Sequence, residues 1–275
     1  TDRELNNAHE DLAVIAYIIV VLGFRCGLRR SEVLKLRIAD YHPSIRSELL
    51  IRPWSNRRLK TKSSTRKMPI HALLTEYELG VLDQWFNKRL EQESDTDPDE
   101  LKNVYLFALP EVAMDAIEED FLFSKIHRVL RAATQDETLR FHHLRHSFAT
   151  WTAMRLMLSD LDHIPVIFPQ QVKTQKWLEQ SKVFRKGVYL NDSITRKHIY
   201  AVSSLLGHSG PDMSLEHYIH CLDLVSMLTR KKRFGAKSAI KVVNFSSTTA
   251  YDKKIVDDLD GLLAEARNVA EKNNS

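Results

Sequence analysis

The chain has 275 residues, 43% hydrophobic and 28% charged, with a formal net charge of +4. That length and apolar content allow one large domain or two modest ones with a real core, and no internal repeat or low-complexity tract interrupts them. Two cysteines exclude a disulfide framework and a thiolate zinc set, and the longest apolar run, residues 12–24, is too short for a membrane span of roughly 20 residues.

Residues 11–28 have the apolar density of a buried helix, and residues 31–36 begin another with Ser31 as its N-cap. Residues 49–51 and 66–70 predict short strands around a basic turn, forming a small antiparallel sheet against helices. Arg52, Arg57, Arg58, Lys60, Lys62, Arg66 and Lys67 fall in this hairpin with no acid among them, which suits an element that touches phosphate. Residues 74–90 are amphipathic, with Leu79, Leu82, Trp85, Phe86 and Leu90 near helical spacing. The acidic run 91–100 reads as an exposed loop, without the ligand spacing of a calcium loop.

Helices are expected over 121–133, 144–158 and 201–206, and in the segment that carries Tyr218. A second basic stretch, 173–197, has Trp177, Phe184 and Tyr189 interleaved, and a third is 230–233. The chain closes with a strand-like 239–245 and an amphipathic helix over 252–270, with Ile255, Leu259, Leu262, Leu263 and Ala266 on one face. The fold class expected is mainly α with a small antiparallel β-sheet, α+β.

Five motifs occur in order: Gly27-Leu28-Arg29, Lys60-Thr61-Lys62, His142-His143-Leu144-Arg145-His146, Leu206-Gly207-His208, and Tyr218. Together they offer two guanidinium groups, an ammonium, imidazoles and a phenol. A phosphodiester in mid-displacement gathers charge on its non-bridging oxygens, so preorganised donors lower the barrier. Arginine forks grip those oxygens bidentately. A phenol attacks once an imidazole removes its proton, and a lysine ammonium can protonate the departing oxygen. This set needs neither metal nor cofactor.

Cys26-Gly27-Leu28-Arg29-Arg30-Ser31-Glu32 resembles the first arginine box of the tyrosine recombinases, the phage-integrase family, and the run from Phe141 to Thr150 resembles the second. Leu206-Gly207-His208-Ser209, followed by Glu216-His217-Tyr218, is similar to the closing pair. The resemblance implies the tyrosine recombinase catalytic-domain fold, with Arg29, Lys60, His142, Arg145 and His208 catalytic, Tyr218 the nucleophile and Glu32 a supporting acid. Lys60-Thr61-Lys62-Ser63-Ser64-Thr65-Arg66 has the form of the family's lysine hairpin, which favours Lys60, with Lys62 as the alternative. Arg57, Arg58, Lys62 and Arg66 would then contact DNA.

The implied activity is site-specific breaking and rejoining of double-stranded DNA through a 3'-phosphotyrosyl link, by a homo-tetramer on two duplexes. Accessory DNA-bending or directionality proteins are further candidate partners, with no membrane and a cytoplasmic, nucleoid-associated location in a bacterium. Type IB topoisomerase chemistry is the nearest alternative, and a DNA-binding module with a silent site is another. The expected division is a catalytic domain over 1–235 and a tail over 236–275, which either passes to a neighbouring subunit or folds back on its own core. Two departures from the family plan stand out. The first box begins within thirty residues of the start, so a preceding core-binding domain is expected to be absent from this chain. Sixty-two residues separate Arg145 from His208, so an insertion is expected at about 158–197, either touching DNA or a subunit or merely elaborating the surface.

Overall fold

Ile15, Ile18, Ile19 and Leu22 are each at most 2% exposed, and their spacing wraps one stripe of a long first helix into the core. The computed structural model describes residues 2–59, 61–109, 117–159, 175–189 and 197–217. That first helix, α1 (Asp2–Cys26), ends at Gly27, whose φ of +61° favours glycine. A side chain at Gly27 would also meet the ring of Phe148, with a Cβ 2.4 Å from Cδ1. α2 (Arg30–Leu34) follows at once. Its N-cap is Arg29 rather than the expected Ser31, because Glu32 reaches back and accepts the Arg29 backbone N–H at 2.9 Å.

The sheet has three antiparallel strands in the order β1 (Tyr41–His42), β2 (Glu48–Ile51) and β3 (Arg66–Met68). Leu49 pairs with Met68 and Ile51 with Arg66, so Leu49, Ile51, Met68 and Arg66 share the inward face. β3 stops short of the expected residue 70, since Pro69 has no N–H to donate and α3 (Ile70–Leu73) begins. Thr75 and Glu78 form a reciprocal capping box that starts α4 (Glu76–Gln92).

The acidic run is more ordered than an exposed loop. Glu93 is buried against the fully buried Arg89 at 2.9 Å, and Asp97 caps α5 (Pro98–Leu101).

α6 (Glu119–Thr134) and α7 (Phe141–Leu158) are joined by a turn at Gln135 in the left-handed region. α7 begins three residues before the expected 144, which places His142 and His143 in its first turn. It packs against α1, against α8 (Gln175–Tyr189) and against α9 (His198–Leu206). α8 lies within the span expected to be an insertion, yet Leu178 and Phe184 on it are buried and Phe184 joins the main core. α10 (Pro211–His217) closes the described part against α9. The architecture is mainly helical with a small antiparallel sheet, as expected. The strand and helix expected over 239–245 and 252–270 lie outside the described residues.

Candidate active site

Arg145 faces the body of the protein from the second turn of α7 and is 1% exposed. Its Nη1 donates to the Gly27 carbonyl at 2.5 Å, and its Nη2 donates to the Leu206 carbonyl at 2.6 Å. Both carbonyls sit where a helix ends beside a left-handed glycine, Gly27 after α1 and Gly207 after α9. One guanidinium therefore ties together the two loops that carry Arg29 and His208. Arg145 Nη2 also meets His208 Nε2 at 3.1 Å.

Glu32 is the second hub. Its carboxylate takes Arg29 Nη1 at 2.7 Å on one side and Arg66 Nη1 and Nη2 at 3.2 and 3.0 Å on the other. Burial pushes this carboxyl up, but the Arg66 and Arg29 charges outweigh it and hold it down at about 2. Arg66 continues the chain of contacts, with Nε donating to the Leu205 carbonyl at 2.7 Å. A Cβ on Gly207 would lie 2.9 Å from Ser64 Cα and 3.0 Å from Arg66 Nη1, so the hairpin presses directly on the glycine that precedes His208. Ser63 Oγ donates to the Gly207 carbonyl at 3.2 Å and fixes the same approach.

The contacts close a ring: Arg29, Glu32, Arg66, the end of α9, Arg145, and back to Gly27 two residues from Arg29. Three guanidiniums against one carboxylate leave the ring at +2, which suits an anionic phosphodiester. His208 feels this charge. Burial first, then Arg145, Arg29 and Arg66, lower its imidazole to about 4, with Glu32 opposing. His142, at the same end of α7, is also lowered, by partial desolvation and then by Arg145, His143 and Arg29. Its ring meets His146 edge-on at 4.8 Å.

The structure thus brings Arg29, Glu32, Arg145 and His208 together, with His142 within reach of their charge. Lys60 and Tyr218 lie outside the described residues, although Thr61 and Ser64 beside Lys60 are held by a 3.0 Å hydroxyl contact. Two of the residues assigned to DNA contact are placed elsewhere. Arg57 is 1% exposed and donates to Asp40 and to the carbonyls of Arg52, Glu32 and Lys35. Arg66 is turned inward onto Glu32, because strand alternation puts it on the same face as Met68. Arg58 is exposed, and Lys62 opens a short 3-10 turn, Lys62–Ser64.

Sequence reasoning missed Ser214, whose Oγ meets His208 Nδ1, Ser203, which backs Ser214, and His127, whose Nε2 accepts the Phe141 N–H at 3.1 Å at the start of α7. Lone serines and a lone histidine carry no spacing signal that would have singled them out. Among the described residues, no group of three His, Cys, Asp or Glu could hold a metal ion, and no helix is long and apolar enough to cross a membrane.

Comparison with known proteins matches residues 3–159 to a model of the phage integrase family. That stretch holds Arg29, Glu32, Lys60, His142 and Arg145 and stops before His208 and Tyr218. No curated protein and no solved structure matches the chain.

Proposed function

The chain belongs to the phage integrase family, and on that premise we propose a site-specific DNA recombinase that cleaves and rejoins strands through a 3'-phosphotyrosyl intermediate on Tyr218. Membership carries DNA recombination or integration in general. The observation that supports the specific reading is the closed ring that holds Arg29, Arg145 and His208 at one +2 locus.

Tyr218 Oη attacks the scissile phosphorus, and its proton passes to His142, whose lowered affinity for protons leaves it neutral and able to accept near pH 7. The bond from phosphorus to the 5'-oxygen breaks, and Lys60 supplies the proton that makes a 5'-hydroxyl. Arg29 and Arg145 take up the charge that develops on the non-bridging oxygens. The phosphotyrosyl link conserves the bond energy, so a partner strand's 5'-hydroxyl reverses the step without ATP. Four protomers on two duplexes would exchange strands in pairs.

Trapping on a nicked suicide duplex from the native attachment region tests this. Wild type should form a protein–DNA adduct that survives denaturant, and Tyr218→Phe should form none. An adduct of equal yield in the mutant would overturn the assignment of the nucleophile.

A further inference from the structure

His208 is held on both ring nitrogens, and the donors and acceptors around it fix where its proton lies. Ser203 Oγ donates to the Ile199 carbonyl at 2.8 Å, which uses its single proton, since a carbonyl only accepts. The 2.8 Å contact between Ser203 Oγ and Ser214 Oγ must then be donated by Ser214. Ser214, its own proton spent, must accept across the 2.8 Å contact to His208 Nδ1. Nδ1 therefore carries the imidazole proton. The other face agrees independently: Arg145 Nη2 can only donate, so His208 Nε2 presents its lone pair at 3.1 Å. Ser214 is fully buried and Ser203 is 3% exposed, so water does not compete for these hydroxyls.

We propose that Ser214, backed by Ser203, is a positioning residue that locks the proton of neutral His208 on Nδ1 and reserves Nε2 for proton exchange at the scissile phosphate. This rests on the recombinase reading above and deepens it. A neutral imidazole has one N–H, and the serine already takes it. To donate to a phosphate oxygen, His208 must gain a second proton at Nε2 from solvent, and Arg145 Nη2 must turn its N–H from Nε2 to the phosphate. The charged groups facing His208 are Arg145 from α7, Arg29 and Glu32 at the start of α2, and Arg66 from β3. Burial first, and then the three arginines against the opposing Glu32, keep it neutral until an anion offsets the cations, so phosphate binding and protonation of His208 are coupled. Ser214 remains the acceptor for Nδ1–H in both states, which keeps the ring from flipping.

Nitrogen NMR of histidine-labelled protein, with His208 assigned through His208→Gln, reads the tautomer without any DNA. The expected result at pH 7.5 is a protonated Nδ1 and a bare Nε2 in wild type, a loss of that preference in Ser214→Ala, and its return in Ser214→Thr. Suicide-duplex cleavage should be at least about tenfold slower in Ser214→Ala at unchanged DNA affinity, and restored in Ser214→Thr. A wild-type proton on Nε2, or an unchanged tautomer in folded Ser214→Ala, would overturn the proposal. The expected tautomers in a protein that forms no adduct would uphold the lock and remove the recombinase reading instead.

Discussion

Arg57 and Arg58 are adjacent in a hairpin read from sequence as uniformly basic, yet their environments are opposite. Arg57 is buried and spends its donors on Asp40 and backbone carbonyls, whereas Arg58 is exposed. Arg57→Ala should cost about 3 kcal/mol, because it strands buried acceptors; Asp40 keeps Arg37 and Arg52 as partners, so the loss stays at the low end for a broken buried pair. Arg58→Ala should leave the melting temperature unchanged and lower the slope of log affinity against log salt by about one. Thermal melts and salt titrations on both variants check the contrast, and equal melting temperatures would refute it. The inward turn of Arg66, which the sequence reading assigned to DNA contact, was nonetheless open to inference, because Met68 two residues on belongs to the core and strand side chains alternate. That of Arg57 was not, because its partner Asp40 lies 17 residues away and no local pattern links them.

At the scale of elements, the helices with unbroken apolar stripes, α1 and α4, were legible, as was the β2–β3 hairpin. α8 was not. Its buried positions include Ser181 and Arg185 beside Leu178 and Phe184, so polar residues occupy half the stripe and hide the period. The start of α7 shows a second kind of hidden information. Two imidazole lone pairs finish it: His127 Nε2 accepts the Phe141 N–H, and His143 Nδ1 accepts the Arg140 N–H at 3.1 Å. Both groups are lowered from the ordinary value of 6.5, by burial first; Arg30 and other cations add to this at His127, and at His143 Asp136 opposes while Arg140 assists. The native state then binds fewer protons than the unfolded chain, so stability is full above about pH 6.5 and falls as pH drops below it. Urea midpoints should decrease from pH 7.5 to pH 5, and His127→Gln should shrink that decrease without abolishing it, since His142 and His208 shift the same way. A midpoint that rises on acidification would contradict this sign.

For the whole molecule, the site is a consequence of closure. Arg29 and Arg145 lie within the family match and His208 beyond it, and the three meet because one buried guanidinium bridges the ends of α1 and α9 while β3 braces the second end through Arg66. The motifs and their order were readable in the sequence. The ring that joins them was not, since it runs through backbone carbonyls that no residue type announces. A formal net charge of only +4 leaves DNA engagement to local clusters such as this one. The proposed chemistry turns on a covalent bond to Tyr218. Nuclease digestion of the trapped adduct followed by peptide mass spectrometry should find a nucleotide joined through its 3'-phosphate to Tyr218, and a linkage on another residue, or through a 5'-phosphate, would contradict it.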